Sequence, residues 1–318
     1  MSTKLLTLIT YNTHLFYQTA VPKKYKHEDD RRLDRLLHLL KQCDADIIGL
    51  NEVWSLTVKN IIKREMEKNG YRVVRIKGRK TFIPPIPIPL GISYIGLWLS
   101  PLFRHIIPDN GLMFLCKKAI DVTNSELIKY KDKKGVGKWD KKARKGILKI
   151  DIAVKADDGA KQPCHVFVTH TYGAFSNKEL CEAVRKVNYT RCPVFVLGDL
   201  NVDEGSDDYD RFLRLPFETL GIRDTYRTLY ADRATHPGYT DGRPENKLHN
   251  IFWPEPGGVP KRLDYILANN FVDPGSDRSS IEVLSWTYHG TDIQGNKCNM
   301  DLSDHDPVKA TFELSLRP

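Results

Sequence analysis

Polar side chains able to move protons or bind cations recur in this chain where apolar runs end. The last such cluster, Ser303-Asp304-His305-Asp306-Pro307, places an aspartate directly before a histidine. An aspartate in that position can orient the imidazole or hold a cation while the histidine moves a proton. In Gly198-Asp199-Leu200-Asn201, the aspartate and the asparagine lie two residues apart after the apolar run 194–197. Side chains at this spacing in a strand point the same way, so both can bind one phosphate oxygen or cation.

Five such clusters are spread over the chain, and each ends an apolar run. They are Thr10-Tyr11-Asn12, Leu50-Asn51-Glu52-Val53, Val168-Thr169-His170, Gly198-Asp199-Leu200-Asn201 with Arg262-Leu263-Asp264-Tyr265, and Ser303-Asp304-His305. Singly, a residue such as Asn12 or Asp264 is best explained as a satisfied core group or a cap. Together the five clusters indicate one pocket, built from the ends of central strands of two facing sheets.

The residue types in this pocket suit cation-assisted hydrolysis of a phosphodiester. Glu52 is the best ligand for a hard cation, because Mg²⁺ prefers one or two carboxylates completed by waters and substrate phosphate oxygens. His305, oriented by Asp304, suits the general base that activates a water molecule. His170, with Asp264 as a candidate partner, suits the stabilising or acid group.

Two further side chains, Asp199 and Asn201, can orient the attacking water and hold the phosphoryl oxygen. The clusters contain histidines but no cysteine, which argues against a soft-metal site. We therefore expect Mg²⁺ as the cofactor, with Mn²⁺ as the alternative.

The elements that must position these groups follow from hydrophobic periodicity. Helices are predicted at 30–43, 57–69 and 176–188, the last with Ser176 as N-cap and Glu179 three residues later. Strands are predicted at 5–11, 47–50, 71–76, 111–116, 146–154, 164–169, 194–197, 263–267, 281–287 and 308–314. Many strands with few helices between them favour two packed, mostly antiparallel sheets with helices outside.

Composition limits the class of protein and its partners. The 318 residues are 41% hydrophobic and show no internal repeat or Gly/Ser- or Pro-rich linker, so a single domain over 1–318 is expected. A net charge of +9 favours an anionic partner such as nucleic acid, a phosphorylated lipid or a membrane surface, although solvated loops are the better explanation of any one basic cluster. No obligate protein partner is evident.

Cysteine usage and the start of the chain bear on location. The six cysteines show no CxxC spacing, so a disulfide framework is not expected and a reducing compartment is indicated. The sequence runs from Met1 directly into a strand-like run without a signal-peptide pattern. We expect a cytoplasmic or peripheral membrane protein, with secretion of a trimmed form left open.

An apolar, proline-rich insertion is predicted at about 81–107. Residues 81–103 include no charged residue, and five prolines in this stretch argue against a regular helix. Two interpretations stay open: a loop folded over the core, or an apolar projection that enters a bilayer interface. Basic residues on both sides, Arg79 and Lys80 before it and Arg104 and His105 after it, are compatible with the second.

Taken in order, the clusters resemble the endonuclease/exonuclease/phosphatase superfamily of Mg²⁺-dependent phosphodiesterases. The motifs that carry this resemblance are Tyr11-Asn12, Asn51-Glu52-Val53, Thr169-His170, Gly198-Asp199-Leu200-Asn201, Arg262-Leu263-Asp264-Tyr265-Ile266-Leu267 and Ser303-Asp304-His305-Asp306-Pro307-Val308. The resemblance implies a four-layered α/β sandwich in which two facing mixed sheets are flanked by helices. It also implies a metal held by Glu52 with help from Asn12 and Asp304, and catalysis by His170 and His305.

Local stretches indicate the branch of this superfamily. Thr169-His170 is similar to the deoxyribonuclease and neutral sphingomyelinase branches. Stretches similar to neutral sphingomyelinases are Asn110-Gly111-Leu112-Met113-Phe114, Lys145-Gly146-Ile147-Leu148, and Tyr239-Thr240-Asp241 with Asn246-Lys247-Leu248. Asn51 and Thr171 stand where many relatives have Gln and Leu, which we treat as tolerated variation.

Three functions are therefore compared. The leading hypothesis is a phospholipid phosphodiesterase of sphingomyelinase C type, acting on lipid at a membrane surface and releasing phosphocholine and ceramide. The alternative is a deoxyribonuclease-like endonuclease, to which the basic clusters also point. A non-catalytic membrane-binding protein on the same scaffold would leave the set of Glu52, His170 and His305 without a purpose.

Overall fold

The structure is a computed structural model that describes residues 2–16, 27–74, 110–133, 143–155, 159, 161–253, 259–292 and 294–316. The insertion expected at 81–107 lies outside these residues. None of the helices described is long and apolar enough to cross a membrane.

Strands make up most of the described secondary structure. They are β1 Ser2–Leu15, β2 Ile47–Val53, β3 Tyr71–Val74, β4 Met113–Lys117, β5 Asp121–Lys129, β6 Gly146–Lys155, β7 Lys161–His170, β8 Val194–Asp199, β9 Ile222–Asp224, β10 Asp264–Asn269, β11 Val272–Asp273, β12 Ser280–Val283, β13 Thr287–Thr291, β14 Lys297–Asp301 and β15 Val308–Leu316. The helices are α1 Asp29–Gln42, α2 Leu56–Lys68, α3 Ala174–Arg185, α4 Asp207–Tyr209, α5 Leu215–Glu218, α6 Thr225–Leu229 and α7 Lys247–Phe252, with a π-helical turn at Asp210–Arg214 between α4 and α5.

Two mixed sheets form the centre of the fold. The first has the order β11-β15-β1-β2-β4-β3 with β12 also on β15, and the second has the order β5-β6-β7-β8-β10-β9. The pairs β1–β2 and β7–β8 are parallel, and the other pairs in these sheets are antiparallel. A separate hairpin joins β13 to β14. The mixed character arises because helices connect β1 to β2 and β7 to β8, which parallel pairing requires.

The sheets face each other across an apolar core, with helices on the outer faces. Phe312 of the first sheet stacks on Phe195 of the second at 6.4 Å between ring centroids. The apolar face of α1, including Leu36 and Leu40, is buried on the first sheet. On the second sheet, α3 buries residues that include Leu180. The predicted four-layered sandwich of two mixed sheets and flanking helices is therefore confirmed.

Strand register brings the polar clusters to one edge of the sandwich. In the parallel pair β7–β8, His170 lies opposite Asp199, and in the antiparallel pair β8–β10, Asp199 lies opposite Asp264. Gly198 makes this pairing possible, because its φ is +148° and a Cβ there would stand 1.8 Å from the Thr169 carbonyl oxygen. A glycine is therefore required immediately before Asp199.

Three local predictions differ from the structure. The third helix begins at Ala174 after Gly173, so Ser176 is not its N-cap; the Ser176 hydroxyl instead accepts the Tyr172 backbone N–H from inside the helix. The strand predicted at 281–287 divides, since β12 pairs with β15 whereas β13 pairs with β14. Strand β5 was missed because most of its side chains are exposed or half-buried at a sheet edge, which leaves no apolar run to detect.

Candidate active site

The structure brings together all eight side chains that the sequence indicated. Glu52 lies at the end of β2, and Asp304 and His305 lie in the loop before β15. All three approach Asn12 and the polar residues of the second sheet. Contacts of 4 Å or less connect all eight residues. Asp304 is connected to the others through His14, which contacts both Asp304 and Glu52. The eight residues are Asn12, Glu52, His170, Asp199, Asn201, Asp264, Asp304 and His305.

Asp199 lies at the centre of this constellation and is almost completely buried. Its Oδ2 accepts a hydrogen bond from Asn12 Nδ2 at 3.0 Å and lies 3.4 Å from His170 Nε2 and 3.9 Å from His305 Nε2. Its Oδ1 accepts the Asn201 backbone N–H at 2.9 Å. Burial raises the pKa of Asp199 to about 7, although the nearby His305 opposes this change. Asp199 can therefore exchange a proton near neutral pH while facing both histidines.

His305 is oriented by Asp264, not by Asp304 as the sequence suggested. Its Nδ1 lies 2.7 Å from Asp264 Oδ2, while its Nε2 faces Asp199. The expectation for Asp304 was wrong because Asp304 directs its carboxylate away, toward His14 and Trp253. Burial alone would lower the pKa of His305, but the Asp264 carboxylate, with smaller effects of Asp199 and Asp241, outweighs burial and raises this pKa well above the ordinary value.

His170 was predicted to pair with Asp264, and this is also incorrect. Its Nε2 lies 3.4 Å from Asp199 and 3.7 Å from Glu52, because the ring extends from the end of β7 toward the first sheet. Its Nδ1 is buried without a hydrogen-bond partner in the described part of the chain. Burial, with a smaller effect of the Lys145 ammonium, holds the pKa of His170 well below its usual value. The imidazole is therefore neutral at pH 7.

Glu52 has the surroundings of a cation ligand. Among the described residues, the basic side chains within 4 Å of its carboxylate are His14 at 3.5 Å and His170 at 3.7 Å, and neither contact is a short hydrogen bond. Its φ of +57° is left-handed, a strained conformation that costs about 1–3 kcal/mol and persists only where the surroundings impose it. Asn201, with a φ of +47°, shows the same strain.

The donor set fits Mg²⁺ better than a metal that needs a protein cage. Among the residues that the structure describes, no three His, Cys, Asp or Glu side chains enclose a common point at metal-ligand spacing. Hard oxygen atoms are instead supplied separately by the carboxylates of Glu52 and Asp304 and by the side-chain amide oxygen, Oδ1, of Asn12. The Asn12 Oδ1 accepts the His14 backbone N–H at 3.2 Å and keeps a second lone pair. Such a set requires waters and substrate oxygens to complete the coordination, as is usual for Mg²⁺.

His14 is a site residue that the sequence reasoning missed. Its Nδ1 lies 3.2 Å from Asp304 Oδ2 and 3.5 Å from Glu52 Oε2, and its ring stacks on Phe252 at 4.3 Å. It therefore links the two proposed carboxylate ligands. Strand periodicity could not have indicated it, because His14 has a left-handed φ of +45° where the register between β1 and β2 shifts.

Asp241 was noted in the sequence only as part of a family-like stretch, and the structure adds it to the site. It forms isolated backbone bridges with both Lys261 and His305. Its Oδ1 lies 3.9 Å from His305 Nε2, the same nitrogen that faces Asp199. The segment before β10 therefore closes one side of the site.

Hydrogen bonds from surrounding side chains hold the Asp304–His305 loop. Asn246 Nδ2 donates to the carbonyl oxygens of Ser303 at 3.0 Å and Asp304 at 3.3 Å, and the Ser303 hydroxyl donates to the Asn12 carbonyl at 2.8 Å. Trp253 Nε1 donates to Asp304 Oδ2 at 3.2 Å. These bonds attach the loop to β1 and α7, so the site geometry depends on several distant segments.

Comparison with known proteins identifies the family of this constellation. Residues 9–305 match the family described as the "Endonuclease/Exonuclease/phosphatase family". None of the curated protein sequences matches the chain.

Solved structures agree with the fold at low sequence identity. A beta toxin structure from Staphylococcus aureus is 20% identical with a TM-score of 0.65, over 96% of this chain and 99% of that one. SmcL is 17% identical with a TM-score of 0.59, over 97% and 98% of the two chains. D. rerio TDP2 "complexed with single strand DNA product" is 12% identical with a TM-score of 0.59, over 97% and 99%. At these identities the comparisons show the fold alone.

Proposed function

Because the chain belongs to the endonuclease/exonuclease/phosphatase family, whose members are metal-dependent phosphodiesterases, we propose that it is a sphingomyelinase C-type phospholipid hydrolase. The reaction would convert sphingomyelin to ceramide and phosphocholine. The observation that carries this proposal is the position of the stretch similar to neutral sphingomyelinases. Asp241 of that stretch approaches His305, and Asn246 holds the carbonyls of Ser303 and Asp304.

In the proposed mechanism, His305 acts as the general base. Its Nε2 takes a proton from a water molecule as the water oxygen forms the new bond to phosphorus. The bond from phosphorus to the ceramide oxygen, in line with that water, breaks, and the ceramide oxygen takes up a proton from solvent. Asp264, at 2.7 Å from Nδ1, stabilises the imidazolium that results. Asp199 and Asn201 orient the water and the phosphoryl group.

The other groups act on the charge of the phosphate. The neutral His170 suits a hydrogen bond to a phosphoryl oxygen better than transfer of a proton to the leaving oxygen, because its pKa is low. Glu52, Asn12 and Asp304 would hold Mg²⁺ or Mn²⁺. The chemistry gained from that ion is neutralisation of the phosphate oxygens and the leaving oxygen.

A direct assay tests the proposal. Sphingomyelin labelled in the choline methyl groups is presented in mixed micelles with Mg²⁺, and released phosphocholine is counted with and without EDTA. We expect Mg²⁺-dependent release that His305→Ala reduces by at least about 10²-fold. His165→Ala is the matched control, because His165 forms a His–Asp contact of 2.7 Å with Asp151 away from the site. No phosphocholine release from protein that nicks plasmid DNA would reject the proposal.

Deoxyribonuclease-like activity is the second candidate, favoured by the net charge of +9. Phosphate contacts from Lys and Arg would give affinity that falls steeply with salt. Nicking of supercoiled plasmid with Mg²⁺, measured from low to physiological salt, tests it. If plasmid nicking is lost at higher salt while sphingomyelin turnover is kept, DNA is an incidental substrate.

The site of action that we propose is a membrane surface, with the protein peripherally attached. The basis is the apolar sequence of the insertion at 81–107 and its basic neighbours. Sedimentation with sphingomyelin vesicles measures attachment, and His305→Ala should keep it while losing turnover. Equal sedimentation with and without vesicles would contradict this location.

A further inference from the structure

The carboxylate of Asp241 is placed where an ordinary phosphodiester would be repelled. It lies 3.9 Å from His305 Nε2, the nitrogen that must face the reacting group, and its side chain is 17% exposed. Among the described residues, the basic side chains within 4 Å of it are two histidines, His305 and His249 at 3.3 Å, and no Lys or Arg reaches it. The described residues therefore leave a carboxylate beside His305 Nε2 with no Lys or Arg close enough to neutralise it.

This arrangement favours a substrate that brings its own positive charge. Two like charges a few ångströms apart repel each other, and they do so more strongly in a partly buried site than in water. A diester without a cation, such as a nucleic acid backbone, meets this repulsion at Asp241. A zwitterionic diester avoids it, because its ammonium group can pair with the carboxylate.

An aromatic side chain lies beside the catalytic loop. Trp253 follows α7, the residue is 48% exposed, and its Nε1 donates to Asp304 Oδ2 at 3.2 Å. Its backbone N–H bonds to the carbonyl of His249, the residue that contacts Asp241. Indole is the best aromatic partner for a quaternary ammonium group, and the Asp304 bond restrains the ring beside the catalytic loop.

We propose that Asp241 and Trp253 form a subsite for the quaternary ammonium group of a phosphocholine diester. The inference rests on the proposed function and deepens it, because it assigns the residues that distinguish a choline lipid from other phosphodiesters. The carboxylate supplies charge and the indole supplies an apolar, electron-rich face, the combination that recognises trimethylammonium ligands.

Two soluble substrates separate headgroup recognition from catalysis. p-Nitrophenylphosphorylcholine carries the trimethylammonium group, whereas bis(p-nitrophenyl) phosphate carries none, and both release p-nitrophenol. The kcat/KM ratio between them is measured for the wild type, Asp241→Asn and Trp253→Leu. Both kcat/KM values are measured on the same preparation, so any unfolded fraction lowers both equally and does not change their ratio. Glu245→Gln and Phe175→Leu are matched controls, since Glu245 is paired with Arg243 and Phe175 is also 48% exposed.

We expect each variant to lower the ratio about tenfold, because kcat/KM for the choline ester should fall further than kcat/KM for bis(p-nitrophenyl) phosphate, while the control variants keep the ratio. Inhibition by phosphocholine should weaken relative to inhibition by inorganic phosphate in the same variants. An unchanged ratio overturns the subsite, and so does an equal loss on both substrates, which would mean that Asp241 acts through His305.

The outcomes also separate this inference from the proposed function. A wild type that prefers the choline ester, with variants that keep the preference, leaves the function standing and removes the subsite. A wild type that nicks plasmid and ignores the choline ester removes both.

Discussion

Replacing Asp264 by asparagine changes one charge in the pair that orients His305. The wild-type contact is 2.7 Å between buried atoms, and the Asp264 carboxylate is the main influence that raises the pKa of His305. A hydrogen bond to a charged group contributes about 1.5–3 kcal/mol, and one pKa unit corresponds to about 1.4 kcal/mol. Asp264→Asn should therefore lower the pKa of His305 by about one to two units.

The sign of the effect on rate follows from the role of His305. A general base works when deprotonated, so the activity of the wild type rises with pH through the raised pKa of His305. In Asp264→Asn this rising limb should move to lower pH by one to two units, consistent with the estimate above. The plateau should fall by about 10²- to 10⁴-fold, because the base is weaker and its imidazolium is no longer stabilised.

The assay is kcat/KM on bis(p-nitrophenyl) phosphate in saturating Mg²⁺ across the pH range where the protein stays folded. Asp151→Asn is the matched control, because it alters the His165–Asp151 contact, which is also 2.7 Å long. If the rising limb and the plateau of kcat/KM against pH in Asp264→Asn match those of the wild type, the role of Asp264 is refuted. If the descending limb at high pH moves down instead, His305 works in its protonated form and its assignment as the base is wrong.

Four further changes test other parts of the site. Glu52→Gln should weaken Mg²⁺ binding at least tenfold by calorimetry, because the main anionic ligand is lost; unchanged affinity would exclude Glu52 as ligand. Burial raises the pKa of Asp199 to about 7, so its ionisation destabilises the fold as pH rises from about 4 through 7. In EDTA, the unfolding free energy of Asp199→Asn relative to the wild type should therefore rise between about pH 4 and 7 and level off above that range, and a pH-independent difference would contradict the raised pKa. Arg262→Leu should cost about 3–5 kcal/mol in urea unfolding, since the buried Asp224 carboxylate loses its guanidinium partner, whereas Glu204 loses one partner and keeps Arg227; a cost below about 1 kcal/mol, typical of exposed pairs, would contradict this. His14→Phe should keep the stack on Phe252 and the melting temperature but lower kcat, whereas an equal loss of both would indicate a purely structural role.

Elements with a regular apolar pattern were predicted well from the chain. Helix α1 was expected at 30–43 and spans Asp29–Gln42, because its leucines repeat at the helical period and bury one face. Strand β8 was expected at 194–197 and spans Val194–Asp199, an entirely buried apolar run. Strand β5 escaped because an edge strand with exposed side chains has no such pattern.

The candidate site was predicted as a set of residues but not as a set of pairs. The strand-end clusters indicated which residues lie together in the structure, since polar groups after buried strands meet at a sheet edge. The assignment of Asp304 to His305 relied on adjacency in sequence, which is a poor guide because successive side chains in an extended loop diverge.

The order of residue types along the chain was therefore enough to indicate a sandwich of two sheets and the chemistry at its edge. The partners of each histidine were determined by strand register, which sets Asp199 opposite both His170 and Asp264. Asp264 comes 41 residues before His305 in the chain, yet their side chains share a 2.7 Å contact. Contacts of this kind arise when distant segments pack, because packing fixes the direction of each side chain, and local sequence contains no record of it.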